Sequence, residues 1–292
     1  MNSKVQDLLK QLEERMAKIN RTELMGLLIA RTKHHHSYSL NNSLMAGMQL
    51  CRQQGRSFDL ETFSNLWLAP FPVWTKWQYR IQRSAKALDI LTPIKYKREK
   101  NQIEVIQDEV KEKEGYNVFF VTRPVFDVSQ TEKPVKNDNP LHRQATITKA
   151  VLSFTDLLSK IHAAGIKVEF LPLKEGLGGY IINNSITINA NNTTEAQYAT
   201  MLHEFGHFCL GHTSANRIQS RSVEELEAEA TAYVVGNQLG IEILSEFYIA
   251  AWNGDGKAIT KSLGNIDRAV KAALKLLGID GLEEESGSKI AA

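Results

Sequence analysis

The sequence is poor in cysteine, lacks any long apolar run and has no strong excess of either charge. Two cysteines among 292 residues, Cys51 and Cys209, cannot build a disulfide framework. That excludes the small disulfide-stapled secreted scaffolds and makes a reducing cytoplasm the expected compartment. No stretch approaches the roughly 18 to 20 apolar residues that a membrane helix needs, so no membrane partner is expected. The first twenty residues, MNSKVQDLLKQLEERMAKIN, are charged throughout and lack the apolar core of a secretory signal. No internal repeat is present. What remains is 42% hydrophobic and 23% charged, enough apolar matter for sizeable cores and a length that suits two domains.

The net charge of +2 conceals a polarity. Residues 1–150 carry 24 Lys and Arg against 16 Asp and Glu, whereas residues 151–292 carry 11 against 17. The excess is densest in residues 21–100, with 13 basic and 5 acidic side chains. Such a split suits an N-terminal half that meets a polyanion and a C-terminal half with a different task.

Helical spacing dominates the first ninety residues: Leu8, Leu9, Leu12 and Met16, then Leu24, Leu27, Leu28 and Ile29. From Pro93 the pattern changes. PIKYKREKNQIEVIQ and YNVFFVTRPVFDV (116–128) are rich in Val, Ile, Phe and Tyr and predict a small antiparallel sheet. SQTEKPVKNDNPLHRQ (129–144), polar and twice interrupted by proline, reads as a linker. A helix is expected over about 146–164, then strands in VEFLPL (168–173) and GGYIINNSITINAN (178–191). Asn192 with Glu195 predicts a capping box opening a helix that Gly211 stops. Ser222 with Glu225 predicts a second, running to about Gly236, and residues 244–277 read as a last helix.

The sharpest chemical signal is His203-Glu204-Phe205-Gly206-His207. Four residues apart on a helix, the two imidazoles face one point, which makes a half-site for Zn²⁺. Glu204 sits one step round the helix, placed to take a proton from water rather than to bind the ion. Chance alone would put this pattern in the chain roughly once in a hundred such sequences. A third ligand is needed. The metzincin extension is excluded, because Leu210 and Thr213 stand where its glycine and third histidine would be. His212 lies past Gly211 and reads as an outer partner or an exposed side chain. In SVEELEAEATAYVVG (222–236), Glu225, Glu229, Ala232 and Gly236 share a helix face whose small residues permit a close approach. One of the two carboxylates can bind the metal while the other orients a ligand histidine. Glu224 and Glu227 read as solvated helix charges, and Glu225 can instead close a capping box with Ser222. Cys209 is expected to pack in the core. The same ligands accept Mn²⁺ or Co²⁺ as well as Zn²⁺.

HEFGH followed by ELEAEATAYVV resembles the gluzincin-type ImmA/IrrE metallopeptidases, and that resemblance implies Glu225 as third ligand. Glu229 stands where many relatives carry Asn, so its role as outer partner or alternative ligand stays open. In the basic half, WTKWQYRIQRSAKAL (74–88) interleaves Trp74, Trp77 and Tyr79 with Lys76, Arg80, Arg83 and Lys86, and Lys95, Lys97, Arg98 and Lys100 follow. As a helix it would set Lys76, Arg80 and Arg83 in a stripe beside the tryptophans, the pairing of cations and flat rings used to hold single strands. The competing reading makes both tryptophans core anchors. His34-His35-His36 reads as an exposed turn, since adjacent side chains share no helix face.

SYSLNNSLMAG (37–47), TKWQYR (75–80) and VFDVSQTE (125–132) resemble the N-terminal single-stranded-DNA-binding domain of ArdC-type antirestriction proteins. The resemblance spans both halves in order, except that ALDILTP replaces the glycine-rich stretch usual before the first strand. It implies single-stranded DNA as a partner, with Asn41, Asn42, Trp74, Lys76, Trp77 and Arg80 as candidate contacts. The expected architecture is therefore α+β. Residues 1–130 would be a helical DNA-binding domain with a small antiparallel sheet, and 131–145 a linker. Residues 146–280 would be a zincin-like (gluzincin) metallopeptidase domain and 281–292 a flexible tail. His203, His207 and Glu225 would hold the metal and Glu204 would activate water against an unidentified protein substrate, with Tyr180 and Tyr198 as candidate oxyanion donors and the SITINAN strand as a peptide-binding edge. Two alternatives stand beside this reading: a DNA-protective coat with a structural metal site, and an ImmA-like protease that cleaves a DNA-bound regulator.

Overall fold

The computed structural model describes residues 3–32, 38–97, 103–105, 116–132, 152–212, 220–241 and 255–279. The expectations for His34 to His36, Arg98, Lys100, most of the linker, residues 146–151 and 244–254 and the tail lie outside them, as do the side chains of Lys95 and Lys97. The fold class is α+β, and the chain divides into two compact units. One contains α1 (Ser3–Met16) up to Arg15 and the segment from 38 to 132. The other contains α2 (Arg21–Thr32) and the segment from 152 to 279. Among the described residues no helix is long and apolar enough to cross a membrane.

In the first unit α1 buries Val5, Leu8 and Leu12 at helical spacing, while Leu9, expected in the same stripe, is half-buried. Helix α3 (Leu40–Gln53), capped by Ser39, packs on strand β3 (Leu88–Lys97). Strand β3 pairs antiparallel with β5 (Tyr116–Asp127) from Leu88 opposite Val125 to Lys97 opposite Tyr116, in a sheet ordered β1-β5-β3-β4. The short strands β1 (Leu68–Ala69) and β4 (Ile103–Val105) close its edges. Because β4 pairs only with Ile94 to Tyr96, the beginning of β3 would be left with an open backbone edge. Side-chain amides of α3 fill it. Asn42 accepts from the Leu91 N–H at 2.8 Å and donates to its carbonyl at 2.9 Å. Gln49 does the same at Asp89, at 3.0 and 2.8 Å, and Gln53 donates to Ala87. The helix thus serves as a surrogate strand. Asn42 is buried in this role, which removes it from the candidate DNA contacts, while Asn41 is half-buried beside it.

The expected helix over 74–88 is not formed. Helix α4 (Leu60–Asn65) and β1 lead through Pro70 into α5 (Phe71–Lys76), and Gln78 then takes a left-handed φ of 62° that turns the chain. Arg80 falls in β2 (Arg80–Ile81), paired with β6 (Thr131–Glu132), so the helical stripe of cations does not exist. Trp74 is fully buried against Tyr79 and Trp77, and its indole N–H donates to the Phe126 carbonyl at 3.1 Å. It anchors the core and offers no face to a base. Trp77 is half-buried on its edge, whereas Lys76, Arg80, Arg83 and Lys86 are exposed. The VFDVSQTE segment is a structural corner. Buried Asp127 accepts from the Trp67 and Ser129 backbones at 2.7 and 2.9 Å and from the Ser129 hydroxyl at 2.6 Å. Burial outweighs these bonds and raises its pKa. Gln130 accepts from the Asp127 N–H and completes the capping box of η1 (Val128–Gln130). Residues 129–132, expected in the linker, therefore belong to the fold.

In the second unit, a three-stranded sheet has the order β7-β9-β8, with β7 (Lys167–Leu171) parallel to β9 (Ser185–Asn189) and β8 (Gly179–Ile182) antiparallel to it. The stretch 178–191 is a hairpin turning at Asn183, whose φ of 53° an Asn tolerates better than most residues. SITINAN is thus the central strand, and β7 and β8 are the edges, which corrects the expected peptide-binding strand. Helix α6 (Phe154–Ala163), with a Ser153–Asp156 capping box, packs near β7. Helices α7 (Thr194–Leu210), α8 (Arg221–Gln238) and α9 (Gly256–Leu276) pack on one another. Helix α2 joins this unit and not the N-terminal one, contrary to the boundary at 130. It packs on α8, and Arg31 Nε meets Asp267 Oδ1 of α9 at 2.9 Å, both side chains buried. Burial works against the Asp267 charge, but Arg31 and Lys271 outweigh it and lower its pKa.

Two stability measurements check these packings. Asn42→Leu strands the Leu91 backbone groups in the interior and is expected to cost about 2–3 kcal/mol in denaturant unfolding. Asp267→Asn breaks a buried pair and should cost about 3–5 kcal/mol near neutral pH. Since the native pKa of Asp267 is depressed, its contribution is complete above the ordinary value of 3.8 and disappears as pH falls through the lowered one. The difference between parent and variant should therefore shrink in acid.

Candidate metal centre

Helix α7 begins at Thr193, whose hydroxyl accepts from the Ala196 N–H, one residue beyond the expected Asn192 cap. Helix α8 is capped at Ser220, so Glu225 is released from the proposed box with Ser222. The two helices meet where Gly206 lies against Ala228: a Cβ on residue 206 would stand 2.9 Å from the Ala228 carbonyl oxygen. This contact allows the close approach. It brings Glu225 of α8 to the imidazoles of α7.

The three groups converge. His203 Nε2 and His207 Nε2 are 3.2 Å apart, and Glu225 Oε2 lies 3.3 Å from the first and 3.4 Å from the second. Ligands bound tetrahedrally at about 2.0–2.1 Å stand about 3.3–3.4 Å from one another, so the triangle has the dimensions of a metal-binding face. No other group of three His, Cys, Asp or Glu side chains among the described residues is similarly disposed. Glu229, left open between two roles, contacts the far nitrogen: its Oε2 lies 2.8 Å from His203 Nδ1. It holds the ring and does not share the triangle.

The electrostatics suit a cation. Burial opposes charge on His203, but bonds to Glu225 and Glu229 and the field of Glu204 prevail and lift its pKa to about 10. The hydrogen bonds to His203 and His207 hold Glu225 well below the usual carboxylate range. Glu204 moves the other way: burial raises its pKa, although the histidines and the Ile181 N–H favour its charge. A carboxylate so placed accepts a proton more readily than an exposed one.

These groups line a cleft of about 620 Å³, whose opposite wall is Leu177 to Ile181, on and before β8. Gly179 lets β8 lie against α7, since a Cβ there would meet Thr200 at 2.7 Å and the Thr187 carbonyl at 2.5 Å. Tyr180 faces this cleft. Tyr198 does not: its hydroxyl donates to the Leu152 carbonyl at 3.3 Å, and burial raises its pKa to about 12, which removes it as an oxyanion donor. Cys209 is largely buried, and burial alone pushes its thiol up to about 12.

Residues 161–244 match the family of the IrrE N-terminal-like domain, a segment that contains all these groups. Among solved structures, the Mn(II)-bound antirestriction protein ArdC from plasmid R388 matches with a TM-score of 0.51 at 14% identity, over 92% of this chain and 97% of that one. The chain has the ArdC fold. The metal-free ArdC structure matches with a TM-score of 0.42 at 16% identity, over 73% and 77%. No curated protein matches the chain.

Within this ArdC-like fold, the sequence reading missed Glu227. Expected with Glu224 as a solvated helix charge, it is completely buried, as is nearly all of Glu224. The signal was the run AEATAYVVG, in which only Glu229 is charged, the mark of a helix enclosed on most sides. Arg221, also missed, lines the cleft with its Nε 3.6 Å from Glu225 Oε1. Gly206→Ala tests the helix contact. The methyl would push α8 outward, so a stability loss of about 1–3 kcal/mol is expected. Calorimetric titration should show weaker Zn²⁺ uptake, and unchanged uptake would mean that the contact does not position Glu225.

Proposed function

We propose that the chain is an antirestriction-type protein that binds single-stranded DNA through its N-terminal unit and carries a metal-dependent peptidase site in its C-terminal unit. The observation that carries the second half is the 3.2–3.4 Å triangle of His203, His207 and Glu225 beside a buried Glu204. The IrrE N-terminal-like match and the Mn(II)-bound ArdC neighbour support it. The donor set of two imidazoles and a carboxylate accepts Zn²⁺ first and Mn²⁺ or Co²⁺ as well. When bound, such an ion supplies Lewis acidity, acidifying water and polarising a peptide carbonyl.

The protein's own groups do the rest. Glu204, shielded in the cleft, takes the proton of the attacking water and returns it to the departing amine. Strand β8 offers its outer edge beside the cleft, where an extended peptide adds main-chain hydrogen bonds and lies across Glu204. Tyr180 on that strand, which lines the cleft, is the proposed donor to the developing oxyanion. In the N-terminal unit, exposed Lys76, Arg80, Arg83 and Lys86 provide phosphate contacts. The exposed rings of Phe71, Phe119 and Phe120 offer the flat faces that buried Trp74 cannot.

Glu204→Gln should leave metal stoichiometry and oligonucleotide binding intact while lowering cleavage of unstructured peptides about 10²–10⁴-fold, read by mass spectrometry. Intact cleavage in that variant would remove the peptidase reading, and parent protein that never cleaves would favour a protective coat. For the DNA reading, Lys76→Ala with Arg80→Ala should weaken binding to a labelled single strand and reduce the salt slope by about one per lost phosphate contact.

A further inference from the structure

Behind the candidate ligands runs a chain of polar groups that the proposed chemistry does not use. Gly211, at φ 74°, ends α7 in a left-handed turn, and the His212 N–H donates back to the His207 carbonyl at 3.0 Å. This folds the His212 ring over the helix end, with Nδ1 3.0 Å from His207 Nδ1. The other nitrogen, Nε2, lies 3.3 Å from Glu227 Oε2. Glu227 is completely buried, and its second oxygen accepts from Asn265 Nδ2 at 3.0 Å.

The order of donors and acceptors follows from the ends. A carboxylate only accepts, so the proton between Glu227 and His212 belongs to His212 Nε2. A neutral imidazole carries one ring proton, which leaves His212 Nδ1 a bare acceptor. The contact at 3.0 Å then requires His207 to donate from Nδ1, so the atom left to a metal is Nε2, in the triangle with His203 and Glu225, where without the ion a proton is shared with Glu225. We propose that Asn265, Glu227 and His212 form a positioning relay that fixes the His207 tautomer and ring orientation for metal binding. Glu229 performs the same office for His203 in one step, at 2.8 Å. The two ligand rings are thus oriented from two different points on α8. The relay rests on the reading of His203, His207 and Glu225 as ligands.

The relay predicts which variants lose metal affinity and which keep it. In Glu227→Gln, Asn265 still donates to the side-chain oxygen, so the new amide turns its NH₂ toward His212. That forces the His212 proton onto Nδ1, against the His207 proton. Removal of such outer partners typically weakens metal affinity 10–100-fold, and this range is expected here for Zn²⁺ titrated into the full chain. His212→Ala should fall equally, whereas His212→Asn, whose side-chain oxygen can accept from His207 Nδ1, should recover most of the affinity. Nitrogen-15 NMR of the metal-free protein supplies a readout independent of the ion: His207 Nδ1 should carry a proton in the parent and lose it in Glu227→Gln. Should Glu227→Gln fail to fold, the two His212 variants decide. Equal affinity in His212→Ala and His212→Asn overturns the relay while leaving the ligand assignment standing. Parent protein that takes up no Zn²⁺ overturns the ligand assignment, and the relay with it.

Discussion

The missing side chain of Gly206 governs the C-terminal unit. With a hydrogen at that position, the backbone of α7 can approach the Ala228 carbonyl of α8, and no larger residue fits without displacing one helix. Everything distinctive about the centre depends on this closeness. A carboxylate side chain reaches only a few ångströms from its helix, so Glu225 can meet two imidazoles of α7, and Glu229 a third nitrogen, only if the axes nearly touch. Gly179 performs the corresponding service on the other side, letting β8 close the cleft against α7.

Close packing also sorts the acids by environment. Four glutamates near the imidazoles carry the same chemistry and differ in what surrounds them. Glu225 is held ionised by the histidines, and Glu204 is pushed toward protonation by burial. Glu229 grips the outer nitrogen of one ring, while Glu227 is sealed in and satisfied by His212 and Asn265. Divergent environments of this kind let one residue type serve as ligand, base and orienting partner.

The N-terminal unit solves a different problem. A sheet whose last strand is short leaves backbone groups open, and α3 answers with amide side chains at Asn42, Gln49 and Gln53. Asn42, which the ArdC resemblance offered as a DNA contact, is here occupied with internal hydrogen bonding. Trp74 follows the same logic, since a large ring inside a small unit has more to gain from burial than from exposure. Around that core the exposed side chains include Lys76, Arg80, Arg83 and Lys86 and the rings of Phe71, Phe119 and Phe120.

The sequence by itself determined the amphipathic helices, the α+β class and the paired histidines with Glu204, because these depend on spacing within one element. It also narrowed the third ligand to Glu225 or Glu229, since both lie on one helix face. Which carboxylate turned to which nitrogen was settled only by the rotation of α8 against α7, a property of two elements together. The burial of Glu227, the return of His212 past Gly211 and the membership of α2 in the C-terminal unit likewise arise from contacts between distant segments. The break in the expected helix at Gln78 has the same origin: local spacing favoured continuation, but burying Trp74 and pairing β2 with β6 required the chain to turn.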